Sequence, residues 1–110
     1  MSAMEQDNFD TPVVFRKDRK KDAEVTAVFP CEPHDIEGRY MTCYVHVGQH
    51  GGCGWEWYRG TRAAKPEEYV DLFAELVGLG YRPKVYRRIT SHLRDVFIEE
   101  VKRLHRELCD

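Results

Sequence analysis

A chain of 110 residues with 42% hydrophobic and 33% charged residues has the length and composition of one folded domain, which excludes the class of disordered chains. The formal net charge of −2 argues against a protein that coats nucleic acid without selectivity, because such proteins carry a marked basic excess. No apolar run approaches the roughly 20 residues that cross a bilayer, and the start of the chain lacks a signal-peptide pattern, so we expect a cytoplasmic protein without membrane contact.

The first ten residues are polar and show no hydrophobic pattern. We therefore predict a disordered N-terminal tail over residues 1–10, followed by a single α+β domain over residues 11–110. The chain contains four cysteines, and in the cytoplasm we expect reduced thiols or metal ligands, since disulfides are rare in that compartment.

Three β-prone segments come first. Residues 12–16 and 24–29 predict a hairpin, because both are rich in β-branched and aromatic residues and the charged segment 17–22 separates them. After a proline-containing loop over residues 31–38, residues 39–47 alternate in polarity and predict a third strand. The side of this strand expected to meet the core carries Met41, Cys43, Val45 and Val47.

The next segment, residues 48–54, is rich in glycine and predicts a turn or loop. Residues 55–59 fit either a short strand or irregular structure. Pro66 then stands where the first residue of a helix would fall, with two acidic residues after it, and Gly80 fits the left-handed position beyond the last turn.

Residues 81–89 predict another strand, at a sheet edge because Pro83 cannot donate a ladder hydrogen bond. Thr90 or Ser91 can cap a final helix, whose apolar stripe is Leu93, Phe97, Val101, Leu104 and Leu108. The predicted fold is α+β in the order β-β-β-(β)-α-β-α, with a mainly antiparallel sheet of four or five strands and two helices on one face.

Several short segments in sequence order carry a resemblance: Val14-Phe15-Arg16, Phe29-Pro30, the HVGQHG run from His46 to Gly51, Pro66-Glu67-Glu68-Tyr69 and Gly80-Tyr81. Together they resemble a family of short, uncharacterised bacterial and phage-encoded proteins built around the HVGQHG segment. The resemblance covers residues 13–89 and implies a bacterial, phage or mobile-element setting. It implies no known activity, cofactor or catalytic residue.

Three pairs of cysteine and histidine occur at a two-residue gap: Cys31 with His34, Cys43 with His46, and His50 with Cys53. Zinc takes four ligands of these types, so a site built from His46, His50 and Cys53 with Cys31 or His34 is one hypothesis. Against it, positions 43 and 46 project to opposite faces of a regular strand. The alternative is that Cys43 is a small core residue and the histidines are polar loop residues.

The segment from His46 to Gly54, which includes Gln49, offers two further readings. Its successive backbone amides could bind an anion, or the glycines could simply allow a tight reversal. A nucleophilic Cys53 with His46 or His50 as base would need an orienting acid, and no sequence feature identifies one, so we expect a protein that is not an enzyme.

A binding surface is the third possibility. If the helices cover the aliphatic side of the third strand, Tyr40, Tyr44 and His46 lie on the other side. Lys84, Tyr86 and Arg88 of the last strand can join them there. Aromatic rings beside basic residues are typical of single-stranded nucleic-acid binding, and the same surface could close a homodimer. Exposed Trp55 and Trp57 would extend a partner site, because tryptophan is enriched at interface hot spots.

We therefore predict a small non-catalytic binding or interaction module whose partner is another protein or a second copy of itself. The alternatives are single-stranded nucleic-acid binding through the aromatic and basic sheet face, and zinc or anion binding by the segment from His46 to Gly54. We expect no cofactor, with zinc as the one alternative. The candidate binding residues are Tyr40, Tyr44, His46, Gln49, His50, Trp55, Trp57, Tyr86 and Arg88.

Overall fold

The computed structural model describes residues 10–20, 23–45 and 49–109. In this part of the chain, six strands and three helices follow one another along the sequence. Their bounds are β1 Thr11–Asp18, β2 Val25–Pro33, β3 Tyr40–Val45, β4 Gln49–Gly54, α1 Trp55–Arg59, β5 Thr61–Ala63, α2 Pro66–Gly78, β6 Pro83–Tyr86 and α3 Ser91–Cys109.

The strands form one sheet in the order β4-β3-β2-β1-β5, and β6 also pairs with β1. One edge of β1 is shared between two partners, because β6 runs parallel to its first half and β5 runs antiparallel to its second half. All other pairings are antiparallel. The α+β class, the mainly antiparallel sheet and the broad element order are thus confirmed.

The sheet is covered on both faces, whereas the sequence analysis placed both helices on one. On the α2 face, Leu72 and Leu76 of α2 pack against Phe15, Phe29 and Tyr44. On the α3 face, Phe97 of α3 packs against a different set, which comprises Val14, Val28, Met41 and Cys53. The reason is that β1 and β2 each carry apolar side chains at successive positions, so both of their faces require cover.

Residues 49–54 form strand β4 and not the predicted loop. Every residue of β4 pairs with β3, from Val45 opposite Gln49 to Tyr40 opposite Gly54. Backbone pairing needs no side chain. Gly52 also leaves room for the ring of His34, because a Cβ on Gly52 would lie 2.6 Å from Cδ2 of His34. The strand therefore forms in spite of the low strand propensity of glycine.

Residues 55–59, left open between a strand and irregular structure, form the short helix α1. The backbone N–H of Gly60 donates to the carbonyl oxygens of Glu56 and Trp57, at 3.2 and 3.0 Å, and so closes the helix. The helix lies directly after the edge strand β4, so the chain turns over the α3 face as soon as β4 ends.

The predicted start and end of α2 and the predicted start of α3 agree with the structure. α2 begins at Pro66 and is followed by Gly80 with a φ of 103°. The hydroxyl of Thr90 accepts a hydrogen bond from the Leu93 N–H at 3.2 Å, so Thr90 caps α3. Pro83 is the first residue of β6, an edge strand as expected.

Other expectations fall beyond the described ranges. Residues 1–9 of the predicted tail, and residues 46–48 of the HVGQHG segment, lie outside the described residues. Within the described ranges, no helix has the length and apolar character needed to cross a membrane.

Burial on both faces predicts that truncation on either side destabilises the fold. Leu76 of α2 is 0% exposed and Phe97 of α3 is 5% exposed. Leu76→Ala and Phe97→Ala should each lower the free energy of unfolding by about 2 to 5 kcal/mol, because each leaves a cavity. Urea denaturation measures this loss.

Two neighbouring residues serve as controls on the same helices. Val77→Ala and Val96→Ala, at positions 50% and 40% exposed, should change the free energy of unfolding by about 0.5 kcal/mol or less. If either core variant behaved like its exposed control, that face of the sheet would not be packed as described.

Candidate functional site

The predicted cysteine and histidine cluster is divided between the two faces of the sheet. Cys43 and Cys53 lie on the α3 face. His50 lies on the α2 face, where its ring centroid is 4.7 Å from that of Tyr44 and its Nε2 is 3.2 Å from the Tyr81 hydroxyl. His50 and Cys53 therefore point to opposite sides of β4 and do not converge on one ion.

The other members of the proposed zinc set are also held apart. The thiol of Cys31 donates to the carbonyl oxygen of Leu93 at 3.7 Å, and burial raises the pKa of Cys31. The ring of His34 lies against Gly52. Among the described residues, which exclude His46, no group of three or more His, Cys, Asp or Glu is placed to hold a metal ion.

The predicted aromatic sheet face is not an open surface. Tyr44 is 1% exposed beneath α2, and its hydroxyl donates to the carboxylate of Glu75. Tyr86 packs on the α3 face, whereas Tyr40 is 47% exposed near the end of β4. The structure thus does not bring Tyr40, Tyr44 and Tyr86 together, because α2 covers the face that they were expected to share.

The remaining candidate residues lie at separate places. Trp55 and Trp57 are half-buried in α1 and pack against the α3-face cluster. Gln49 is the first residue of β4, opposite Val45. Arg88 is exposed just after β6. Of the proposed binding residues, Trp55, Tyr86 and Arg88 lie on or beside a single feature that sequence reasoning missed.

That feature is a strongly basic sheet edge. Residues 59–65, which contain β5, and residues 82–94, which contain β6, carry eight Lys or Arg and no Asp or Glu. Both strands pair with the same edge of β1, so the fold brings the two segments together. We call this the basic edge; its cations are Arg59, Arg62, Lys65, Arg82, Lys84, Arg87, Arg88 and Arg94.

Most of these cations are exposed, and few are paired with acids. The Arg62 guanidinium donates to both carboxylate oxygens of Glu68, at 2.9 and 2.8 Å, which lowers the pKa of Glu68 to about 2. Nη2 of Arg82 lies 3.6 Å from Oδ1 of Asp10. Arg87 and Arg88 are exposed and form no ion pair with the described residues.

The point where β5 and β6 approach each other is concave. The Ala64 N–H donates to the carbonyl oxygen of Phe15 at 2.9 Å, and the chain leaves the sheet there. One hollow of about 320 Å³ is lined by Phe15, Tyr69 and Val85. An adjoining hollow of about 480 Å³ is lined by cations, which are Arg62, Lys65 and Arg87.

Aromatic rings are interleaved with the cations. The Arg94 guanidinium carbon lies 4.3 Å from the Trp55 ring centroid, and the Lys84 ammonium lies 5.7 Å from the centroid of Tyr86. Both rings are half-buried, so part of each remains accessible. The basic edge can therefore offer a ligand positive charge and aromatic surface at the same place.

Arg16 has a structural role behind this edge. Its guanidinium donates to the hydroxyl and the carbonyl oxygen of Thr61, at 2.8 and 2.7 Å, and lies 4.3 Å from the Tyr58 ring centroid. Burial lowers its pKa. These contacts fix α1 and β5 on β1 and so position the cations that follow them.

Comparison with known proteins assigns no family to the chain. A scan against models of protein families, a search of curated proteins and a search of solved structures each found no match. The resemblance to the HVGQHG proteins stays a prediction.

Proposed function

We propose that this chain is a small non-catalytic binding module, cytoplasmic and of bacterial, phage or mobile-element origin, that holds single-stranded nucleic acid along the basic edge. The observation that supports the proposal is the set of eight cations in two acid-free segments, on a chain whose formal net charge is −2. Such a concentration of one sign supplies a local phosphate-binding surface that the net charge conceals.

The free side chains support phosphate contacts. Arg59, Arg87 and Arg88 are exposed and have no acidic partner among the described residues, so they need not break an ion pair in order to bind. Lys65 and Arg87 line the cationic hollow and could hold one phosphate between them. Charge-assisted hydrogen bonds to phosphate are the strong contacts in such sites.

The aromatic rings favour a single strand over a duplex. Trp55 and Tyr86 lie beside Arg94 and Lys84, and stacking of one base on an aromatic ring contributes about 1 to 3 kcal/mol. The hollow beside Tyr69 and Val85, which Arg87 also lines, could accept one flat base next to the phosphate-binding cations. A duplex hides its base faces, so only a single strand can use both features.

Fluorescence anisotropy with a labelled single-stranded oligonucleotide tests the proposal. We expect binding that weakens with salt, with a slope of about −3 in log K against log salt for roughly four phosphate contacts. Replacing Arg87 and Arg88 together by Ala should reduce that slope by about 1 to 1.5 and weaken binding about tenfold at low salt.

A matched control removes the same charge elsewhere. Lys102 and Arg106 of α3 lie about 12 Å or more beyond Arg94 along the helix axis, and Ala at both positions should leave binding nearly unchanged. No binding at low salt would refute the proposal, and so would an equal loss in both double variants.

The edge strand β4, at the end of the sheet opposite to the basic edge, favours a second candidate function, which is binding of a protein partner. β4 pairs with β3 along one side, and among the described residues no strand pairs along its other side. Three of its six residues are glycines, which have no side chain to shield the backbone. An exposed strand edge of this kind can pair with the same strand of a second copy, antiparallel about a two-fold axis.

A charged side chain on β4 tests this candidate. A Cβ on Gly51 would have no heavy atom within 4 Å, so Gly51→Lys places a charge at the edge without a clash. Light scattering after gel filtration should then show a wild-type dimer and a Gly51→Lys monomer. Gly78→Lys in α2, where a Cβ is equally free, is the control that should stay dimeric, and a monomeric wild type would exclude the candidate.

A further inference from the structure

Cys43 and Cys53 face each other across two neighbouring strands. Cys43 of β3 lies opposite Gly51, and Cys53 of β4 lies opposite Met41, so the two cysteines are diagonal neighbours. Both side chains belong to the α3 face. Both also line one hollow on that face.

The surroundings make the two thiols chemically different. The neighbouring Cys53 thiol and the Gly51 N–H lower the pKa of Cys43 to about 7 against the opposing effect of burial. The proximity of the Cys43 sulfur, burial and the charge on Cys43 raise the pKa of Cys53. At neutral pH, Cys43 is thus the nucleophile and Cys53 holds the proton.

A small reagent has a path to this pair. A hollow of about 320 Å³ is lined by both cysteines together with Thr26, Val45 and Trp57. Cys43 is half-buried at this hollow, whereas Cys53 is 7% exposed. Cys43 is therefore the first thiol that an incoming molecule meets.

We propose that Cys43 and Cys53 form a reversible dithiol–disulfide pair that reacts with low-molecular-weight disulfides, with Cys43 as the attacking and Cys53 as the resolving thiol. The Cys43 thiolate attacks one sulfur of R–S–S–R, forms a mixed disulfide and releases R–S⁻. The released R–S⁻ takes the proton of Cys53, whose sulfur then attacks Cys43 and expels the second R–S⁻, which is protonated by the solvent. The protein dithiol loses two electrons and the reagent disulfide gains them.

The first step prepares the second. Once Cys43 carries R–S, it no longer bears the negative charge that opposes ionisation of Cys53. Cys53 then ionises more easily while it lies beside the sulfur that it must attack. The product ties the edge strand β4 to β3 and is reopened by excess thiol.

The reaction is tested in a variant in which Cys31 and Cys109 are both replaced by Ser, so that only the pair remains. With 2-hydroxyethyl disulfide as the probe, we expect release of two thiols per protein and a peptide map that joins Cys43 to Cys53. Adding Cys53→Ser should stop the reaction at a stable adduct on Cys43. An adduct on Cys43 that persists with Cys53 intact, or no reaction at either cysteine, would overturn the proposal.

The rate of iodoacetamide alkylation at Cys43 is measured against pH in the same variant, with Cys31 and Cys109 replaced by Ser. Its pH dependence distinguishes a thiol with a lowered pKa from a thiol that is merely exposed. We expect a rate midpoint near pH 7, which Cys53→Ala moves towards the ordinary thiol value of 9.0 because the neighbouring thiol that lowers the pKa of Cys43 is removed. At pH 7 this change should slow alkylation about fivefold, since the smaller thiolate fraction outweighs its greater nucleophilicity. An unchanged midpoint would contradict the assigned roles.

Discussion

The structure depends on the burial of β1 and β2 on both faces. Val13, Val14 and Phe15 of β1 are at most 2% exposed, as are Ala27, Val28 and Phe29 of β2. Since successive side chains of a strand point to opposite faces, two such runs at the centre of a sheet require a covering layer on each side. α2 supplies one layer, and α3 together with α1 supplies the other. The burial of Tyr44 and the separation of His50 from Cys53 both follow from this arrangement.

Because α2 and α3 cover the two faces of the sheet, its edges are the parts of the sheet that the described residues leave open. The two edges differ in chemistry: the edge of β5 and β6 has the half-buried ring of Tyr86 and, just after β6, the unpaired cations Arg87 and Arg88, whereas β4 has glycine at three of its six positions. The first edge suits an anionic, flexible ligand, and the second suits another strand. The thiol pair lies next to the β4 edge, so the proposed oxidation would alter the edge opposite the proposed phosphate-binding one.

Local signals in the sequence predicted local structure correctly. Pro66, Gly80 and Thr90 act through one helical turn or less, and they predicted the start and end of α2 and the start of α3. The strand β4 was missed because a glycine-rich segment has no side-chain alternation, and its pairing partner is known only once β3 is in place. The prediction that both helices lie on one face was wrong because it rested on the alternation of residues 39–47 alone. The successive apolar residues of β1 and β2 indicate burial on both faces. The basic edge was missed because its two segments are distant in sequence and meet only through β1.

We propose that the protein binds its ligand at the basic edge and not on a sheet face. A titration of ¹⁵N-labelled protein with a single-stranded oligonucleotide of about 12 nucleotides, followed by amide chemical shifts, tests this placement residue by residue. We expect shifts in α1, in β5 and β6 and at Arg87 and Arg88, with β4 and the last two turns of α3 unchanged. Shifts confined to β4, or no shifts at all, would contradict it.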